Sequence, residues 1–276
     1  MTARRPARVL RIVGTGYNVA GHVTAETRSL LEHADRLFYL VTDPATGAWI
    51  RSLQPAARSL HAAYREGGCG VDAVHRMVEW VLEPFGEAGG RLEVCLALSG
   101  HPGICLHVSH RAARRARELG LEVRMYPAVS FEDCLVADLG VDPAVTGRAI
   151  YDATDFVLRP RVPDTGAALV LLQAGVIGEV TYRQGREACA EGLRVLAETL
   201  LRHYPGDHEV VLYEASQLPI VEPRVVRIRL SELPAAPVRV QTTLYLPPVS
   251  RPPVDPRMRE RLGLPAPTAE SPAAPP

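Results

Sequence analysis

The feature that most narrows the fold is a change of period repeated along the first half of the chain. Short apolar runs end in glycine- or proline-rich turns, and segments with helical spacing lie between them. Val9 to Val13 runs into Gly14-Thr15-Gly16. A helix is predicted from near Thr24, with Leu30 and Leu31 inward and a stop near His33. Arg36 to Thr42 (RLFYLVT) reads as a second strand, ended by Asp43-Pro44. Val74, Met77, Val78, Val81, Leu82 and Phe85 share one helical face. Leu92 to Leu98 is a third strand, broken by Ser99-Gly100-His101-Pro102-Gly103. A basic helix follows and ends at Gly120, and Glu122 to Met125 is a fourth strand stopped by Pro127. Strands separated by helices pair in parallel, because the helix is the crossover that parallel pairing needs. Residues 1–126 are therefore expected to form an α/β lobe with a mostly parallel sheet.

From Ser130 the pattern changes. Ser130-Phe131-Glu132-Asp133 resembles a capping box, with Asp in place of Glu, and opens a helix. Later strands are expected at Ala168 to Leu172, Val210 to Tyr213, Val225 to Ile228 and Val238 to Leu246, with a helix from about Glu187 to His203. Strands set this close together predict a mixed sheet with antiparallel pairs, and so a second α/β lobe over residues 127–250. Ten of the 24 prolines fall after Leu246, so residues 251–276 read as a proline-rich tail, with a helical turn or two at Arg257 to Leu262.

Composition removes several classes. Basic and acidic residues balance at 31 each, which gives no electrostatic reason for nucleic acid or an anionic membrane as partner. Every basic residue is Arg. Without Lys there is no Schiff base and no Walker-type phosphate loop, so pyridoxal-phosphate enzymes and P-loop NTPases are excluded. The five cysteines include no C-x-x-C pair, and Cys95 and Cys134 lie in apolar runs as core residues. No apolar stretch approaches the ~18 residues of a membrane span, and no signal-peptide core precedes the first strand. The expectation is a cytoplasmic protein.

Gly14-x-Gly16 after a strand suggests a dinucleotide fingerprint, but position 19, where the third glycine belongs, is Val. A tight strand-to-helix turn is the better reading. Ser99 to Gly103 lies at the carboxyl end of a predicted parallel strand, where open α/β sheets bind ligands. His107 and His110 stand i, i+3 without a third ligand, so they read as a solvated pair and no metal site is expected. Arg111, Arg114, Arg115 and Arg117 read as a solvated helix face.

VGTGYNVAGHVTAETRSLLEHADRLFYL resembles the opening of the tetrapyrrole methylases, with a Gly-x-Gly turn, a helix opened by Thr24, and Ala34-Asp35 before strand two. SGHPG resembles that family's Gly-Asp-Pro loop with His101 in place of Asp, and PAVSFEDCLVADL resembles the block that opens its second lobe. The His substitution, DPAT at Asp43 to Thr46 and EDCLVADLGVDP resemble one branch, the borosin-type (omphalotin-like) peptide backbone N-methyltransferases.

The resemblance implies a two-lobed fold whose cleft holds S-adenosylmethionine, with S-adenosylhomocysteine as product. It places Ser99, Gly100, His101, Ile104 and Cys105 along the cofactor from the first lobe. From the second it places Ser130, Phe131, Gln173, Tyr213, Ala215, Thr242 and Thr243. Tyr64 matches one active-site tyrosine of the branch. Gly70 stands where the branch has arginine, and Val74 and Ser99 stand where it has tyrosines, so most of the set that handles the amide proton is replaced. The family also implies a homodimer. Branch members carry a clasp and their own substrate peptide, which this sequence lacks; the expected acceptor is a separate precursor peptide. The alternatives are an O-, S- or C-methyltransferase on another natural product or side chain, and a catalytically silent cofactor- or peptide-binding homologue. Corrin-ring methylation is more distant, because of His101 and the borosin-like blocks.

Overall fold

The computed structural model describes residues 8–18, 21–87, 89–185 and 187–265. Its first sheet contains β1 (Arg8–Gly14), β2 (Arg36–Leu40), β3 (Arg58–Ser59), β4 (Leu92–Leu98) and β5 (Glu122–Met125). The order is β3-β2-β4-β1-β5 and every pairing is parallel. The helices around it are α1 (Ala25–His33), α2 (Pro44–Leu53), α3 (Gly70–Leu82), the single turn α4 (Pro84–Glu87) and α5 (His107–Glu118). Successive side chains of a strand point to opposite faces, and β4 shows the result. Val94, Leu96 and Leu98 pack with Met77 and Val81 of α3 and Ala112 and Ala116 of α5. Cys95 and Ala97 pack on the other face with Leu31 of α1 and Ile50 of α2. Each fully buried Leu, Ile or Met contributes about 1.5–3 kcal/mol relative to exposure. A sheet covered on both faces explains why the central strands are almost continuously apolar.

α6 (Phe131–Leu139) follows, then α7 (Pro143–Thr146), β6 (Arg148–Asp152), α8 (Ala153–Leu158), β7 (Ala168–Leu172), α9 (Ala190–Leu200), β8 (Glu209–Glu214), β9 (Arg224–Arg229), β10 (Thr243–Leu246) and α10 (Pro256–Arg261). The second sheet runs β6-β7-β10-β8-β9; β6 and β7 are parallel and the remaining pairs antiparallel. Leu193, Leu196 and Leu200 of α9 cover one face. Phe131 and Leu135 of α6 cover the other, against Val170, Val211, Tyr213 and Tyr245.

The two-sheet α/β architecture is the expected one, and several elements differ in detail. α2 was not anticipated. The Asp43-Pro44 that stops β2 also starts a helix, since the Asp43 carboxylate accepts from the Thr46 N–H at 2.6 Å and proline suits the first helical position. β2 ends at Leu40, because beyond it the Thr42 N–H turns to the Ser99 hydroxyl at 2.9 Å. The strand expected over Val238 to Leu246 begins only at Thr243. Residues 239–242 form a turn, with the Arg239 N–H on the Thr242 hydroxyl at 2.9 Å and the Thr242 N–H on the Arg239 carbonyl at 3.0 Å. The helix expected from Glu187 to His203 is shorter, starting after Cys189, whose sulfur accepts from the Gly192 N–H. Phe85 is buried but lies beyond α3, on the turn that Pro84 starts. β6 joins the second sheet at an edge, and its half-buried residues show no run of apolar side chains that would announce a strand. Residues 266–276 of the proline-rich tail lie outside the described residues.

Candidate functional site

The site is assembled at the carboxyl ends of β1, β4 and β7. The turn after β1 lies against the loop after β4. The Thr15 N–H donates to the Leu98 carbonyl at 2.8 Å and the Gly100 N–H to the Gly16 carbonyl at 2.9 Å. A Cβ on Gly14 would stand 2.1 Å from the Gly100 oxygen, 2.6 Å from Ala128 Cβ and 2.8 Å from Pro102 Cδ. Gly100 itself is left-handed, φ +67°, and its Cβ would meet the Tyr17 ring at 2.8 Å. The glycines thus serve close backbone packing, the tight-turn reading of Gly14-x-Gly16. His101 is held in the same loop, its Nδ1 accepting the Gly103 N–H at 3.0 Å. The His110 ring caps the loop by bonding the Gly103 carbonyl at 3.0 Å, while His107 is exposed. Among the described residues no group of three or more His, Cys, Asp or Glu is placed to hold a metal.

From the second lobe, Ser130 forms the anticipated capping box. Its N–H and hydroxyl both donate to Asp133 Oδ2 at 2.7 Å, and the Asp133 N–H returns to the hydroxyl at 3.2 Å. Burial pushes the Asp133 carboxyl up, but the hydrogen bonds from Ser130 outweigh it and hold the group below its ordinary value. Phe131 is buried beneath, in the cluster that Tyr17 and Ile104 of the first lobe also join. Tyr213 is enclosed in that cluster with its hydroxyl donating to Asp138 Oδ2 at 2.6 Å, so it props α6 from behind. Ala215 is half-buried, and Thr242 and Thr243 are buried. The Thr242 carbonyl accepts the Ala174 N–H at 3.2 Å, and its hydroxyl donates to Glu214 Oε1 at 2.7 Å. Glu214, unremarked in the sequence, is a buried carboxylate that also meets Arg224 at 2.7 Å and Arg239 at 3.4 Å. A cavity of about 330 Å³ opens beside Ala215, Glu214, Gln217 and Gln241.

Cys105 and Gln173 are the two non-glycine residues with left-handed backbone among the described residues, at φ 55° and 58°. Both are exposed and both follow the carboxyl end of a strand in the anticipated cofactor set. Such strain persists where surrounding structure imposes it, and it concentrates at ligand clamps. The Asn18 amide oxygen is buried without a partner in the turn after β1. An unpaired acceptor, two exposed residues with left-handed backbone and closely packed glycines fit a nucleoside carrying an amino-acid tail.

Hydrogen bonds join the lobes on two sides. Gln217 donates to the Thr42 hydroxyl at 3.0 Å, and Thr42 in turn meets Ser99. On the other side, residues 67–70 pair with residues 180–182: Gly67 N–H to Tyr182 O at 2.9 Å, Tyr182 N–H to Gly68 O at 2.9 Å, and Gly70 N–H to Val180 O at 3.0 Å. This ribbon sets Tyr64 against Tyr182, with ring centroids 4.6 Å apart and planes 21° apart. Burial first, and the Tyr182 hydroxyl second, push the Tyr64 phenol above its ordinary value. Gly70 is part of the ribbon and Val74 packs on the core, so neither offers a polar group. Arg76 spends two N–H groups on the Ala63 carbonyl, at 3.0 and 2.7 Å, while Arg65 and His75 are exposed.

With this geometry in hand, comparison with known proteins is decisive. Residues 9–234 match the profile of the Tetrapyrrole (Corrin/Porphyrin) Methylases. The chain belongs to this family. It is 34% identical over 254 residues to the methyltransferase/ribosomally synthesized cyclic peptide dendrothelin A precursor of Dendrothele bispora, covering 91% of this chain and 60% of that protein. Against the corresponding omphalotin A precursor of Omphalotus olearius it is 35% identical over 247 residues, covering 88% and 58%. The chain thus spans about three fifths of the length of these relatives. Uroporphyrin-III C-methyltransferase from Thermus thermophilus, solved in complex with S-adenosylhomocysteine, superposes with a TM-score of 0.58 at 19% identity, covering 86% of this chain and 96% of the other. Fold and family are those of the tetrapyrrole methylases. No described helix is long and apolar enough to cross a membrane.

Proposed function

We propose that this chain N-methylates backbone amides of a ribosomally made peptide supplied as a separate molecule, acting as a homodimer in the cytoplasm. The observation that carries the reading is the likeness to fused methyltransferase–peptide precursors over nine tenths of the chain. The tyrosine pair at the cleft supports it.

S-adenosylmethionine, when bound, supplies a methyl group on a sulfonium sulfur that departs as a neutral thioether. Ser99, Gly100, His101, Ile104 and Cys105 would hold it from the first lobe. Ser130, Phe131, Gln173, Ala215 and Thr243 would hold it from the second, with Tyr213 bracing α6 and Thr242, fully buried with its hydrogen bonds spent inside the lobe, bracing the turn before β10. Fixing acceptor and methyl in line removes roughly 7–11 kcal/mol from the barrier in well-oriented cases. An amide nitrogen is a poor nucleophile until its proton is loosened. The Tyr64 phenol, raised by burial, stays protonated at neutral pH and therefore acts as a donor. A hydrogen bond from it to the acceptor carbonyl stabilises charge moving onto that oxygen, an effect of about 2.7–4 kcal/mol for one well-placed donor. The N–H proton leaves to water as the N–C bond forms.

One observation favours a different acceptor: Gly70 stands where the branch has arginine, and Arg76 is committed to the Ala63 carbonyl. A side-chain carboxylate or thiol needs less activation than an amide. Incubation with S-adenosylmethionine and the peptide encoded beside this gene, followed by tandem mass spectrometry, separates the readings. A methyl on a backbone nitrogen is the expected result. Methyl found only on side chains overturns the amide reading.

A further inference from the structure

The ribbon between residues 67–70 and 180–182 delivers one side chain to the candidate site that nothing in the sequence singles out. Tyr182 follows β7 in the second lobe, and Tyr64 follows β3 in the first. Three backbone hydrogen bonds hold them together, and they define the antiparallel pairing of Cys69 with Thr181. A further bond, from the Gln184 N–H to the Glu66 carboxylate at 3.0 Å, extends the ribbon by one step. Gly67 is left-handed at φ +71°, and a Cβ on Gly68 would stand 3.0 Å from the Arg65 carbonyl, so the turn that carries the ribbon depends on small residues.

We propose that Tyr182 is a positioning residue for methyl transfer, the second half of an aromatic clamp that fixes the Tyr64 hydroxyl on the acceptor. The inference rests on the amide-methylation reading for its kinetic consequence, while its optical consequence stands without it. The two rings are offset-stacked within the range where aromatic pairs attract, about 0.5–1.5 kcal/mol beyond their area burial. Stacking covers one face of Tyr64 and removes water from it, while the ring also packs on the first-lobe core. The ring contact fixes the plane of the Tyr64 ring, and with it the place where its hydroxyl stands. The clamp forms only when the two lobes are joined by the ribbon. That ties the acceptor's donor group to the same closure that forms the cofactor cleft.

Three variants test this. Tyr182→Phe keeps the flat face. Tyr182→Ala removes it, and Tyr182→Leu keeps apolar bulk without it, should alanine loosen the ribbon. The Tyr64 phenol is followed by tyrosinate absorbance, as the difference between each variant and the same variant carrying Tyr64→Phe. Binding of S-adenosylhomocysteine is measured by calorimetry, and kcat and KM with the neighbouring peptide by mass spectrometry. Tyr182→Phe is expected to keep most of the rise in the Tyr64 titration, which burial causes first and the Tyr182 hydroxyl second, and most of kcat. Tyr182→Ala is expected to return Tyr64 toward an ordinary phenol. Tyr182→Ala and Tyr182→Leu are both expected to lower kcat by about 10–100-fold, the cost of misplacing a group by about an ångström, with KM and cofactor affinity close to wild type. The proposal is overturned if Tyr182→Ala leaves the Tyr64 titration and kcat unaltered. It is equally overturned if cofactor affinity falls in step with kcat in both variants, since the residue then only holds the lobes together. A wild-type enzyme that methylates no peptide amide removes the proposed function, and the titration alone then decides the clamp.

Discussion

Replacing Gly14 with alanine tests the packing on which the first-lobe half of the site depends. The added Cβ would lie 2.1 Å from the Gly100 carbonyl, against 3.4 Å where ordinary contact begins, so one backbone must retreat by about 1.3 Å. Retreat of β1 is blocked, because Ile12 and Val13 are fully buried on opposite faces and the strand is paired on both sides. The loop from Ser99 to Gly103 must move instead, and Ala128 Cβ at 2.6 Å and Pro102 Cδ at 2.8 Å close the other directions. Overpacking of this kind costs about 1–3 kcal/mol of stability, which lowers Tm by roughly 2–4 °C per kcal/mol in a domain of this size. A shift of about an ångström in a loop that aligns the cofactor costs on the order of 100-fold in rate. Calorimetric titration with S-adenosylhomocysteine, beside a thermal melt, reads both effects. Gly14→Ala is expected to bind at least tenfold more weakly and to melt lower. Unchanged affinity and an unchanged melt would refute the claim that this glycine exists for the loop behind it.

Other perturbations have equally definite outcomes. Ser130→Ala should cost about 1 kcal/mol at neutral pH through loss of the helix cap, measured by urea unfolding. Because Asp133 is held below its ordinary value in the folded state, its contribution is full above the unfolded pKa and lost as pH falls through the folded one; the gap between wild type and Ser130→Ala should close in acid. Glu214→Gln strands the mostly buried Arg224 without its carboxylate and should destabilise the protein by about 3–5 kcal/mol; a variant as stable as wild type would show that the cluster is solvated. Peptide methylation should hold steady through neutral pH and fall only as pH rises through the raised Tyr64 value, and Tyr64→Phe should lower kcat and abolish that falling limb.

Much of the first lobe was legible because its strands are buried on both faces and its turns carry glycine and proline. β4 and β5 begin and end where their patterns do. The capping box at Ser130 was readable because it is local, three residues from donor to acceptor. β6 was not, since an edge strand with half-buried residues has neither alternation nor an apolar run. The turn at 239–242 does not show in the sequence, because RVQT favours extended structure, and the hydroxyl and N–H of Thr242 bend it back onto Arg239. At the candidate site the first-lobe loop was readable from its punctuation. Tyr182, Glu214 and Gln217 were not, since each acquires its partner from a segment distant in sequence. No spacing rule brings Tyr182 beside Tyr64; the ribbon between lobes does.

The structure also offers a cavity of about 700 Å³ on the second lobe, between Leu139, Val145, Val211 and Tyr245. It includes none of the anticipated cofactor residues. A crystal structure of the protein with S-adenosylhomocysteine therefore tests the account most directly. The account predicts the nucleoside between the lobes, touching the backbone after β4 and the chain at Gln173, with Tyr64 facing the open side of the sulfur. Density for it in the second-lobe cavity, or a cleft filled by side chains at saturating ligand, would contradict the account.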